Sequence, residues 1–481
     1  MDALRSSRRE HTLRRMSDLI SRIGLRISAL FRATAPEPFV LAIILTLVIT
    51  IAALIWGRFE AGASPSIELL DAWRADTGLW RFLAFGMQMC LVLVTGHALA
   101  SSPPVERLIA RLAGIPKSTA SASAMVGLVA CLAGLINWGL CLIVGALLAR
   151  KVGESLSQRG IAAHYPLIVA SGYVGMAVWH GGLSGSAPLT VTTQDGASKV
   201  LSAEAMARLD GGIPLTETIF SPMNFVVTLG AIVIIVGLLA LLAPRDALHQ
   251  KPIERCIEIS PKDRHSVEVE DHEPTMPERL ERWPLMSWLL ALALVAATVR
   301  YVQVSGASRV GLNEINAAML ALGLVLHRSP RSYGYAIELG ARGCAGIILQ
   351  FPLYAGIMAM MAASGLVARI AGGLVGSGDS MGVPILTFFS AAIVNLFVPS
   401  GGGQWGIQGP IALQAGEAAG IAPGKMVMAV AYGDQITNML QPFWALPLLA
   451  ITEVRARDIV GYTAIVMVAA GAWMALWLLL L

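Results

Sequence analysis

The chain has 481 residues, 56% hydrophobic and only 14% charged, with a formal net charge of +4. Soluble domains average about 25% charged residues, and a mean hydropathy of +0.67 excludes a soluble enzyme built on one large core. The composition is that of a multi-pass protein in a lipid bilayer, and nothing in its charge points to nucleic acid.

Residues 1–36 carry eight arginines among leucines and isoleucines. That pattern reads as a basic amphipathic helix on the inner leaflet or as a plain topogenic tail. It does not read as a signal peptide, because the apolar run after it is span-length and no A-x-A-type site follows. Apolar runs then predict spans at about 37–57, 80–101, 164–183, 223–243, 284–303, 312–327, 341–363, 424–450 and 459–481. Two further stretches, 119–149 and 382–416, exceed the roughly 20 residues that one helix needs to cross a 30 Å core. Each is interrupted near its middle by Asn, Gly or Pro. They are predicted to be re-entrant hairpins, two half-helices that enter and leave on one side. The charged, Pro-containing segment 244–283 reads as a cytoplasmic linker. Of the five cysteines, four lie in apolar segments and none shows C-x-x-C spacing, so unpaired packing residues are expected.

With the N-terminus cytoplasmic and both hairpins re-entrant, segments 1–36, 102–118, 150–163, 244–283, 328–342 and 452–458 face inside. They hold 26 of the 35 Lys and Arg residues, a strong positive-inside bias. If either long stretch crossed the membrane, every later loop would change side. The predicted fold is therefore an all-α polytopic membrane protein with two five-element units, 37–243 and 312–481. Each unit runs span, span, hairpin (119–149 or 382–416), broken helix (164–199 or 424–450), span, and 284–303 is an extra span between them. Landmarks keep similar spacing: Gln88 to Asn137 is 49 residues, and Gln350 to Asn395 is 45. The units begin on opposite sides, so the repeat is inverted, a signature of secondary transporters.

Four interruptions carry the chemistry: "LINWGL" (135–140), "WHGGLSGSAPL" (179–189), "VNLFVPSGGGQWGIQGP" (394–410) and "AYGDQITNMLQPFWALP" (431–447). Non-helical backbone leaves N–H and C=O groups unpaired, and each costs several kcal/mol in hydrocarbon. Such backbone persists only when buried in protein or lining a wet cavity, so the four breaks argue for one shared polar site. At the second tip, Pro399 ends the first half-helix, and Gly401, Gly402 and Gly403 let bare N–H groups approach a ligand. A half-helix starting near Gln404 and Trp405 would aim its partly positive N-terminus at a carboxylate. Ser400, Asn395, Gln404 and Gln408 add side-chain donors. At the first tip Asn137 offers an amide, Gly139 a break and Trp138 an apolar wall. Ser184 and Ser186, in the next break, complete the expected substrate-binding set.

The core holds no Lys or Arg to clamp an anion. A small monoanion with a short apolar tail is easier to satisfy there than a dianion. Asp434 lies deep in the span 424–450, one turn before Asn438. It is expected to coordinate Na⁺ with exposed carbonyls, to titrate for H⁺ coupling, or to cap a half-helix. His180 adjoins a break and is a candidate proton carrier. The coupling ion the pattern offers is H⁺ or a Na⁺ near Asn137 and Asp434; no cofactor and no metal cluster is expected. "GGGQWG" satisfies G-x-G-x-x-G, but no strand precedes it and no βαβ unit surrounds it. There is no H-E-x-x-H or GK[ST], and no nucleophile–base or metal constellation is found, so neither an enzyme nor an ATPase is read.

"LAFGMQMCLVLVTGHALASSPPV" (83–105), "INWGLCLIVGALLAR" (136–150), "NLFVPSGGGQWGIQGP" (395–410) and "AYGDQITNMLQPFWALP" (431–447) resemble the bacterial short-chain fatty acid transporter family, the acetoacetate/butyrate permeases. The resemblance runs from about residue 20 to the end. It implies uptake of small monocarboxylates across the bacterial inner membrane, coupled to H⁺ or Na⁺. The family is placed in the ion transporter superfamily, with the divalent anion/sodium symporters, which implies a homodimer whose transport domain moves as an elevator. A transporter of dicarboxylates or another organic anion is the alternative within that superfamily. Three positions depart from the family pattern: members often carry His where Gln404 stands, Glu where Asp434 stands and Gly where His180 stands. The Asp434 change keeps a carboxylate; the other two would move a proton role from the tip to His180. The Ser-Asn-Thr tips of the sodium symporters are absent.

Overall fold

A computed structural model of the chain describes residues 18–31, 33–34, 36–59, 62, 64–192, 212–257, 275–306, 312–369, 382–398 and 401–481. No β-strand occurs among the described residues. Six helices there are long and apolar enough to cross a bilayer: Pro38–Trp56, Thr119–Ile136, Pro222–Leu242, Pro284–Val304, Pro330–Ala363 and Ala456–Leu480. A bent pair, Tyr165–Ala177 with Trp179–Thr190, makes a possible seventh, with a 41° change of direction. Gly86–Leu99, Asn316–His327, Val383–Phe397 and Phe443–Thr452 are shorter apolar helices.

The two long stretches break where the sequence breaks them. Ser118 and Ser121 form a capping box that starts helix Thr119–Ile136. Asn137 then leaves helical geometry, and helix Trp138–Gln158 begins at once and folds against its predecessor. The second stretch divides into Val383–Phe397 and Gly401–Ala418. That second half-helix starts at Gly401, one turn earlier than the expected start at Gln404–Trp405. Segment 328–342 is no loop. Pro330–Ala341 is helical and runs through the 3₁₀ turn Arg342–Cys344 into Ala345–Ala363. Pro65–Arg74 and Pro103–Ala113 are further helices outside the predicted spans. Each opens on proline, whose missing N–H costs nothing in a first turn. They are short and amphipathic, so a search for span-length apolar runs passes over them.

The helices fall into an inner and an outer group. In the inner group, Thr119–Ile136 and Trp138–Gln158 both pack on the broken helix that begins at Tyr165, while Val383–Phe397 and Gly401–Ala418 both pack on Pro423–Thr437. Glycine makes these contacts close: a Cβ on Gly145 would overlap the Gly172 carbonyl, and one on Gly433 the Phe388 carbonyl. Pro222–Leu242 and Ala456–Leu480 flank the group. In the outer group, Ala345–Ala363 packs on Pro38–Trp56 and Pro65–Arg74. Pro284–Ser305, Leu312–His327 and Pro330–Ala341 gather beside Leu83–Ser101 around a small core of Ala98, Ala291, Ala321, Leu324, Tyr333 and Ala336. Pro38–Trp56 and Pro284–Val304 keep most of their apolar surface exposed, as helices in contact with lipid do.

Candidate functional site

The site forms where the two broken helices meet. Tyr165–Tyr173 tightens into the 3₁₀ turns Val174–Ala177 and Trp179–Gly181. Pro423–Thr437 tightens into the 3₁₀ turn Asn438–Leu440 before Pro442–Thr452 resumes. The 3₁₀ turns Val174–Ala177 and Asn438–Leu440 lie against each other. Each break frees backbone groups that a buried site must satisfy. Protein side chains do most of this. The Tyr173 hydroxyl donates to the carbonyls of Asn438 at 2.7 Å and Gln441 at 3.0 Å. Thr463 donates to Met439 O at 2.5 Å, and Asn224 Nδ2 to Gly181 O at 2.9 Å. The His180 amide donates to Gln435 Oε1 at 2.9 Å. Asn395 Nδ2 donates to Asp434 O at 2.6 Å, Thr437 Oγ1 at 3.0 Å and Asn438 Oδ1 at 2.9 Å. Gln441 Nε2 donates in turn to Asn395 O.

What remains is a cluster of buried polar atoms with no hydrogen-bond partner among the described residues. Asp434 is 2% exposed; its Oδ1 lies 3.9 Å from His180 Nε2, and its Oδ2 is unpartnered. His180 is fully buried against the Trp179 ring. The Ala431 carbonyl is near, yet neither ring nitrogen closes a hydrogen bond of normal geometry. Asn395 Oδ1 and Asn438 Nδ2 are also unpartnered. The second tip closes on the same place: a Cβ built on Gly401 would stand 2.7 Å from His180 Nε2. Asp434, His180, Asn395, Asn438 and Gly401 therefore form one group, drawn from both halves of the chain.

Other predicted residues are placed differently. Asn137 Oδ1 accepts from the amides of Gly139 and Leu140 at 2.8 and 3.2 Å and so caps the half-helix it precedes. The Trp138 amide donates to Ser184 Oγ at 3.0 Å, tying the first tip to the first break. Its ring packs between Trp179 and Trp444, with centroids 6.3 and 5.2 Å away. Ser186 begins the short helix Ser186–Thr190, and its carbonyl accepts from the Thr190 hydroxyl. Gln404 and Gln408 do not point their amides at an open tip. Gln404 Nε2 donates to Ala391 O and Gln408 Oε1, and Gln408 Nε2 donates to Ser390 Oγ. These bonds staple Gly401–Ala418 to Val383–Phe397. Trp405 is buried in the same half-helix. Gly402 and Gly403 are in its first turn, and a Cβ on Gly402 would meet nothing within 4 Å. Pro399 and Ser400 lie outside the described residues, as does 193–199 of the first broken helix.

Sequence reasoning missed one feature. A cavity of about 360 Å³ runs from Thr34, Pro36 and Arg457 to Tyr173, Met439 and Gln441 at the second break. Arg457 sits in the segment 452–458, which the charge count had treated as a loop at the membrane edge. The signal was present as an arginine one turn from an apolar run, but only folding shows what it faces.

The family model described as "Short chain fatty acid transporter" matches residues 19–481. A protein of Escherichia coli K12 named "Putative short-chain fatty acid transporter" is 37% identical over 450 residues, covering 92% of this chain and 96% of that relative. One of the same name from Haemophilus influenzae is 35% identical over 445 residues, with coverage of 92% and 96%. Among solved structures, the Alcanivorax borkumensis YdaH transporter is similar with a TM-score of 0.42 at 18% identity, over 92% of this chain and 97% of that one.

Proposed function

Because the chain belongs to the short-chain fatty acid transporter family, we propose that it is a secondary active transporter of small monocarboxylates such as acetoacetate or butyrate, coupled to proton movement through Asp434. The observation that carries this reading is the buried Asp434–His180 pair between two helical breaks. A carboxylate in packed protein needs a counter-charge or a proton. Among the described residues the ionisable group beside it is His180, at 3.9 Å. In sodium-coupled transporters, unwound carbonyls at such breaks coordinate the ion. Here the carbonyls of Asp434, Asn438, Met439 and Gln441 already accept protein hydrogen bonds. Each of these carbonyls keeps further acceptor capacity, so the preference for H⁺ rests on the Asp434–His180 pair.

On this reading 119–149 and 382–416 are re-entrant hairpins, and the halves are an inverted repeat with N-terminus and linker in the cytoplasm of a bacterial inner membrane. The inner group of helices carries substrate, and the outer group is the scaffold of a homodimer against which it moves as an elevator. The division of packing into inner and outer groups supports that assignment. The deciding experiment is uptake into proteoliposomes under imposed pH or Na⁺ gradients with a panel of C2–C6 acids. Saturable butyrate uptake that follows the pH gradient is expected. Uptake that neither saturates nor follows a gradient would make the protein channel-like. Strong inhibition of butyrate uptake by succinate would favour a dicarboxylate or broader organic-anion substrate.

A further inference from the structure

The cavity beside the second break is chemically specific. Its volume of about 360 Å³ falls within the roughly 300–1,000 Å³ of small-molecule sites. Its walls are mainly apolar, with Phe31, Leu41, Ala445, Ile459 and Val460 among them. The hydroxyls of Tyr173 and Thr463 also line it, but both donate to backbone carbonyls. Thr34 lines it too and donates to Leu30 O at 2.8 Å, which leaves Arg457 and Gln441. Arg457 is about one-third exposed and forms an ion pair with Glu37, its Nε 3.8 Å from Glu37 Oε1; the distance is too long for a hydrogen bond, so its N–H donors are not spent on that carboxylate. A guanidinium has five N–H donors in a fork that matches a carboxylate. Gln441 is 6% exposed; its Nε2 is spent on Asn395 O, and its Oε1 has no partner among the described residues.

This set selects a ligand. Arg457 meets one negative charge, and the aliphatic walls cover a short apolar body. A second carboxylate would find no second cation among the lining residues. We propose that the cavity is a binding site for one small monocarboxylate, held by Arg457, on the face that the charge count assigns to the cytoplasm. The proposal rests on the transporter reading above and adds to it a site separate from the Asp434 cluster. Asn395 joins the two, since its amide contacts Asp434 O while its carbonyl accepts from Gln441.

The test is butyrate protection of a cysteine placed in the wall. Val460→Cys, and Leu440→Cys in case the first folds poorly, would be labelled with a maleimide in the full-length protein and read at that residue by mass spectrometry. Butyrate is expected to slow labelling at least fivefold. Arg457→Gln should raise the butyrate concentration needed about tenfold, while Arg457→Lys recovers part of it. Succinate should protect no better than in the Arg457→Gln background. Butyrate uptake is measured on the same preparations. Normal uptake without protection overturns the cavity site and leaves the transporter reading standing. Protection without uptake supports the site and overturns the transporter reading. Protection by dodecanoate but not butyrate assigns the cavity to lipid chains and overturns the proposal.

Discussion

Asp434 and His180 meet with little help from anything else. Their closest polar approach is 3.9 Å, and among the described residues neither Asp434 Oδ2 nor the ring nitrogens have a hydrogen-bond partner. Such an arrangement is poor at holding a fold together, because each unmet group costs about 1–3 kcal/mol. It suits a place where protons come and go. Asp434→Asn is therefore expected to preserve insertion and to abolish the dependence of uptake on the pH gradient. Unchanged gradient dependence in proteoliposomes would make Asp434 structural. Gly401 is the steric counterpart. A Cβ there would stand 2.7 Å from His180 Nε2, so Gly401→Val should reduce uptake at least tenfold at normal expression. The sequence alone pointed equally to Gly402, where a Cβ meets nothing. Gly402→Val should therefore be the milder variant unless the ligand itself occupies that space, and comparing the two uptake rates separates these cases.

At the scale of elements, the four helix breaks were legible as interruptions. Asn137 and the glycines from Gly401 stood out because apolar runs rarely contain them. Their tasks were not legible. Asn137 caps a half-helix, and Asn395 ties three acceptors on the facing broken helix. Both are asparagines at a break, yet one acts on the half-helix it precedes and the other across to a partner. Removing the cap with Asn137→Ala should cost about 0.5–2 kcal/mol and lower the unfolding midpoint in detergent with little change in substrate affinity. Asn395→Ala should be more damaging, because it strands Asn438 Oδ1 in a buried site and leaves Asp434 O only the long bond from Thr437 Oγ1 at 3.4 Å. A larger loss of thermal stability than for Asn137→Ala is the expected outcome. Gln404 and Gln408 show the same limit. Their amide character suggested ligand donors, and only the approach of Val383–Phe397 commits them to a staple.

For the whole molecule, the sequence by itself determined the solvent and the class. Low charge and span-length apolar runs suffice for a multi-pass membrane protein, because hydrocarbon penalises each charge and each unpaired backbone group independently of the fold. Family membership was legible for a similar reason, since the long motifs around the breaks are contiguous in the chain. Tertiary structure decided which interrupted segments share a site. It brought His180 to Asp434 across 254 positions of sequence, spent most of the freed carbonyls on Tyr173, Thr463 and Asn395, and set Arg457 at a cavity that the charge count had treated as a loop. Local pattern records what each residue costs in lipid. It does not record which distant partner removes that cost, because that depends on how closely glycine-lined helices approach, a property of pairs of segments and not of either one.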